Sequence, residues 1–254
     1  VIYVALLRAR GTLIWSALVL ALLSVVAIVS FLTNHITLDA ANQAVRIPDS
    51  AFVATATMVG LVIATISATS LNREFPTLPV VWTKPASRAR IALEYFAVDL
   101  ATIVAAALLA VLACLVSGIP ADALRHIVHD PGLGEFVVRS LSVVFMWYAV
   151  VQAATAGLPG RGGVIAGLSW PLFGGLIALG FSRLPGLHAV ALVLNVINPF
   201  AWLTSSTRVE HGAATTTMHS LYSFLPHAVV VVAPWLLGAL ALYLATVLWS
   251  RREA

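Results

Sequence analysis

The sequence predicts an all-α, polytopic membrane protein with six transmembrane helices. Three observations carry this. Apolar residues make up 61% of the 254-residue chain and charged residues only 9%, against about 25% charged in a soluble domain. Mean hydropathy is +1.00. The apolar residues are also gathered into runs of about 20, the length a helix needs to cross hydrocarbon. A soluble fold must show much of its surface to water, and this composition lacks the polar residues to cover it. A secreted enzyme, a nucleic-acid-binding domain and a disordered regulator are thereby excluded.

The runs lie at 13–33, 51–71, 95–118, 137–157, 163–181 and 227–249. The first is too long for the apolar core of a signal peptide. The segment before it, 1–12, is apolar with Arg8 and Arg10 and fits an interfacial helix. A seventh apolar run, 187–204, carries Asn195, Asn198 and Pro199. Amides and a proline are costly in a lipid-facing helix, because hydrocarbon satisfies none of them. The expectation is a short or re-entrant segment packed against protein, with a true seventh span as the alternative. No loop is long enough to be a domain, so residues 1–254 read as a single transmembrane domain.

Basic residues orient the chain. Six spans place Arg8, Arg10, Arg73, Lys84, Arg88, Arg90, Arg161, Arg251 and Arg252 on one side, and Arg46, Arg125, Arg139, Arg183 and Arg208 on the other. The richer side is cytoplasmic. Both termini then lie in the cytoplasm of a multi-pass protein of the cell (inner or plasma) membrane. A seventh span would put Arg251 and Arg252 outside. The net charge of +4 reflects this placement and not a nucleic-acid partner. All seven histidines (35, 126, 129, 188, 211, 219 and 227) fall on or near the external side. The single cysteine, Cys114, rules out an intrachain disulfide and a cysteine-rich metal site.

The cytoplasmic stretch Ser70–Asp99 is the most charged of the chain. Pro76, Pro79 and Pro85 break any continuous helix. A helix restarts over 86–98, with Ser87 placed to cap it. Val80, Val81 and Trp82 sit among the charges. This reads either as an amphipathic docking element for another protein or as a loop held at the headgroups by Trp82 and its Arg neighbours.

The pattern Arg73-Glu74, Thr77-Leu78, Thr83-Lys84-Pro85-Ala86-Ser87-Arg88 resembles the first cytoplasmic loop of ABC-2 type membrane permeases, the transmembrane subunits of type V ABC exporters. Six spans, a size near 250 residues and an Asn198-Pro199-Phe200 element between spans 5 and 6 are similar too. Pro76 stands where that family usually has Gly, and Glu94 about where a Lys often follows.

The resemblance implies a coupling helix in this loop that seats in a separate ATPase subunit. The positions implied are Glu74, Thr77, Pro85, Ser87 and Arg88, with Trp82 added from its chemistry. It implies a second permease copy, or a related permease, and transport by alternating access. ATP and Mg would be held by the partner, with no cofactor on this chain. A phosphate-cradling loop needs G-x-x-x-x-G-K-[ST], and the nearest stretch, Gly157–Gly163, has no Lys.

Within the spans, Gly163, Gly167 and Gly174 form one smooth stripe at helical spacing. It suits either packing within the subunit or a dimer seam or hinge, and Pro171 and Gly175 are placed to kink or interrupt the same helix. Asp99, about one turn inside span 3, reads either as a structural lock paired to an Arg or as a lining of the substrate path. Gln152 and Thr155 read as path residues or as interhelical hydrogen-bonders. His126 and His129 share a face if helical, which suits a metal or an acid sensor; the plainer reading is solvated loop histidines. An intramembrane enzyme is disfavoured, since no clustered catalytic groups lie at one depth. A secondary transporter or channel without an ATPase is the alternative function, although the spans lack midplane charges.

Overall fold

The computed structural model describes Gly11, Ile14 and residues 50–70, 87–116, 131–181, 188–210 and 213–251. The expected span 13–33 and interfacial helix 1–12 lie outside the described residues, apart from Gly11 and Ile14.

Five long helices form the body. They are α1 (Ser50–Ser70), α2 (Arg88–Val116), α3 (Pro131–Gly157), α4 (Gly162–Phe181) and α7 (His227–Ser250). Four of these, α2, α3, α4 and α7, are long and apolar enough to cross a membrane, and α1 is apolar over Ala56–Ser70. Their bounds match the apolar runs to within two residues except at two starts: α3 begins at Pro131, six residues before its run, and α2 begins seven before. There the helix begins at Arg88, so the helical piece expected over 86–98 and the apolar run are one continuous helix of 29 residues. Ser87 caps it: its hydroxyl accepts from the Arg90 N–H at 3.3 Å.

α3 is the axis of the assembly. It packs against α1 and α7 on two sides and touches α4 and the short helix α6 (Pro199–Trp202). Its residues Met146, Trp147, Tyr148, Ala149, Gln152 and Thr155 are wholly buried. Two glycines bring its neighbours close. A Cβ on Gly238 of α7 would sit 2.7 Å from the Phe145 ring and 3.2 Å from the Met146 backbone. A Cβ on Gly60 of α1 would sit 3.2 Å from Val144. By contrast α4 and α7 turn large apolar side chains outward, among them Leu168, Leu172, Leu236 and Leu240. Such faces suit lipid.

The run 187–204 is not one span. It breaks into α5 (His188–Asn195) and α6, of 8 and 4 residues. Eight residues of helix reach only about 12 Å. The break is held by its own amides. Asn195 donates to the carbonyls of Leu176 on α4 and Ala191 on α5, at 2.7 and 2.8 Å. Asn198 donates to Phe173 O of α4 at 2.9 Å and to Asn195 Oδ1 at 2.7 Å. Asn198 also caps α6, its Oδ1 accepting from the Phe200 N–H at 3.1 Å, with Pro199 at the first helical position, where no N–H is needed. Gly180 makes the approach possible, since a Cβ there would lie 3.0 Å from Asn195 Nδ2 and 2.7 Å from Leu221. The expectation that these amides pack against protein is met.

All elements of membrane length are helical, as expected. Among the described residues the one departure is an antiparallel hairpin, β1 (Thr204–Glu210) and β2 (Ala213–His219), with Thr204 opposite His219 and Glu210 opposite Ala213. The sequence reading placed no element here. Threonine-rich strands without an apolar alternation carry little signal. The hairpin's root is clamped. Trp202 stacks on Tyr222 at 4.3 Å, and Ala201 O accepts from the Leu221 N–H at 2.8 Å and from the Ser220 hydroxyl at 3.1 Å.

Replacing Asn195 by Leu leaves the bonds to two carbonyls unmade and strips Asn198 of a partner. The expected loss is about 2 kcal/mol of unfolding free energy, read by thermal or denaturant unfolding in detergent. An unchanged stability would mean that the amides do not hold the break.

Candidate functional site

A polar and aromatic cluster lies where α1, α3, α4 and α6 meet. The Thr65 hydroxyl of α1 donates to Leu61 O at 2.9 Å. It accepts from Trp147 Nε1 of α3 at 2.8 Å and from Trp170 Nε1 of α4 at 3.3 Å. A hydroxyl has one proton and two lone pairs, so Thr65 is saturated. The Trp147 ring meets Trp170, Phe173 and Phe200 at centroid distances of 5.1, 5.4 and 5.1 Å. Phe200, the last residue of the Asn-Pro-Phe element, thus reaches the middle of α3. The short segment between α4 and α7 therefore dips deep into the bundle alongside α4.

Asp99 lies on α2 and is 3% exposed. Its Oδ2 accepts from the Tyr148 hydroxyl of α3 at 2.9 Å, and the Tyr148 ring meets Phe96 edge-on. The carboxylate thus ties α2 to α3. Gln152 follows one turn along α3 and Thr155 nearly one turn further; both are wholly buried. At 100° per residue Tyr148, Gln152 and Thr155 share one face. Among the described residues the Gln152 amide has no hydrogen-bond partner.

The loop positions divide at Ser87. Ser87 and Arg88 form the capped start of α2. Glu74, Thr77, Trp82 and Pro85 lie outside the described residues, as do His126 and His129. Glu94, one departure from the family pattern, forms an i,i+4 pair with Arg90 at 3.1 Å. Exposed pairs of this kind contribute little. Gly160 makes the tight turn after α3 in the left-handed region, φ 74°, which suits a residue without Cβ.

Gly163, Gly167 and Gly174 are placed on an exposed face of α4. A Cβ at any of them would meet no atom within 4 Å. The stripe is therefore not used for packing within the described residues. Pro171 sits inside α4, which runs through it uninterrupted.

At the far end of α3 a charged cluster faces α7. Arg139 Nη2 pairs with Glu135 Oε1 at 2.6 Å and lies 3.4 Å from His227 Nδ1. His227 Nε2 is 3.7 Å from Glu135 Oε2. Together these residues pin the start of α7 to that of α3. Among the described residues no group of three or more His, Cys, Asp or Glu side chains is placed to hold a metal.

Sequence reading missed Thr65, Trp147 and Trp170. The available signal was a tryptophan in mid-span. Tryptophan favours the membrane interface, and a buried indole N–H needs a partner. The Glu135–Arg139–His227 cluster was missed because its members lie far apart in sequence.

No family model, curated protein or solved structure matches the chain.

Tyr222 offers a pH test outside the long helices. Its hydroxyl donates to Leu192 O at 2.6 Å, and burial pushes its pKa up from 10.0 to about 12. The unfolded chain releases this proton near pH 10, while the folded chain keeps it until about pH 12. The unfolded state therefore binds fewer protons in that window, and stability falls as pH rises through it. Unfolding measured across the window is expected to show a fall that Tyr222→Phe reduces. An equal fall in both proteins would contradict this assignment.

Proposed function

We propose that the chain is the permease subunit of an ATP-driven ABC exporter of the ABC-2 type. In this reading six helices span the membrane, the sixth being the apolar run 13–33. The chain couples to a separate ATPase subunit through the cytoplasmic loop between α1 and α2. One observation supports this most. Ser87 and Arg88, the last two residues of the motif, stand at the start of a helix that Ser87 caps. Glu74, Thr77, Trp82, Pro85, Ser87 and Arg88 would form the coupling surface. The helices on either side of the loop, α1 and α2, pack on each other, and both are tied to α3, through Thr65–Trp147 and Asp99–Tyr148. Movement of the loop would thus reach the buried axis directly.

The mechanism is alternating access. ATP binding by the partner pair closes the ATPase subunits and displaces the loops. To shift the population decisively, it must favour one of two packings by about 5 kcal/mol. This chain holds no phosphate-binding loop in its sequence, so ATP and Mg belong to the partner and the chain itself is not an enzyme. The open stripe Gly163–Gly167–Gly174 is the seam for a second copy or a related permease. Asp99 acts as a lock between α2 and α3, and Gln152 and Thr155 belong to the region that rearranges. A secondary transporter or channel remains the alternative.

The test is co-purification with the candidate ATPase. Wild type is expected to retain it, and a folded Glu74→Ala, Arg88→Ala variant to lose at least about tenfold of that binding, which corresponds to about 1.4 kcal/mol. Failure of the wild type to bind any ATPase, with or without nucleotide, would favour the alternative.

A further inference from the structure

Gln152 is wholly buried on α3, and neither its Nε2 nor its Oε1 has a hydrogen-bond partner among the described residues. A glutamine amide carries two donors and an acceptor with two lone pairs. Native interiors leave few such groups unpaired, because each was bonded to water before folding. Several buried polar side chains of α2 and α3 have found partners, although the Ser140 hydroxyl, like the Gln152 amide, has none among the described residues. Tyr148 bonds Asp99, Trp147 bonds Thr65, Thr102 bonds Val98 O and Ser142 bonds Arg139 O. A leucine or methionine at 152 would fill similar space without that penalty.

The position of the amide along α3 matters. Around residues 144–146 the helix is clamped by the glycine contacts from Gly60 and Gly238. Beyond the clamp, toward Gly157, the buried face carries Tyr148, Gln152 and Thr155. A close-packed interior switches between discrete arrangements and does not deform continuously. The amide thus lies in the half of α3 beyond the clamp.

We infer that Gln152 is a packing switch. Its amide destabilises the arrangement seen here and gains hydrogen bonds in a second arrangement of the Tyr148–Gly157 half of α3. This rests on the two-packing mechanism proposed above and assigns the bias between the packings to one side chain.

The test uses the purified full chain in lipid nanodiscs, without any ATPase. Spin labels go on cysteines replacing the exposed Leu158 and Leu244, in a Cys114→Ala background. Wild type is expected to show two distance populations. Gln152→Leu and Gln152→Met should merge them into one and raise the melting temperature by about 3 °C. A lowered melting temperature, or failure of both variants to fold, would mean that the amide is bonded in this arrangement and overturns the inference. A raised melting temperature with the wild-type distances unchanged overturns it too. Merged populations in a chain that binds no ATPase would support the switch while the ABC reading fails.

Discussion

A single threonine hydroxyl joins three helices, and much of the structure is arranged around it. Thr65 accepts from indoles on α3 and α4 while donating to its own helix. In lipid no water replaces a lost partner, so two indole N–H groups and a hydroxyl that satisfy one another fix the helices in register. Trp147 then serves as the platform for Trp170, Phe173 and Phe200. Through Phe200 the short segment after α4 is drawn into the bundle. Through α3 the same node reaches the Asp99–Tyr148 bond and the glycine contact with α7.

Hydrophobic burial alone does not specify such a bundle. Lipid tails are as apolar as leucine, so helices associate through close packing and internal hydrogen bonds. The chain uses both. Gly60, Gly180 and Gly238 allow close approach at three sites. Asn195 and Asn198 spend their amides on carbonyls of α4 and α5 and on each other. The outward faces of α4 and α7 carry large apolar residues with no such demands. In the proposed transporter, this contrast separates a tied interior, able to pass a loop movement inward, from a surface that slides in lipid.

Much of the fold was legible in composition. Apolar runs located α1, α4 and α7 to within a residue, because length and hydropathy are what a bilayer selects, whereas α2 and α3 begin seven and six residues before their runs. The cap at Ser87 was legible because a serine after a proline-rich break has one obvious use. The two asparagines and Pro199 correctly argued against a seventh span. Other features depend on partners distant in sequence. Thr65 looks like any threonine in a helix until Trp147 and Trp170 arrive from other helices. The glycine stripe on α4 was legible as a spacing, but that a Cβ there would meet no atom within 4 Å is a tertiary fact. Asp99 was legible as costly, whereas its partner Tyr148 was not. The hairpin was invisible to periodicity because neither strand, TSSTRVE nor AATTTMH, alternates apolar with polar residues.

The most direct test of this account is a double-mutant cycle on unfolding free energy, with Thr65→Val and Trp147→Phe made singly and together. If the hydroxyl joins the helices as described, the two changes are coupled by about 1 kcal/mol or more. Additive losses would show that the indole and the hydroxyl contribute independently, and that Thr65 is not the node on which the bundle depends.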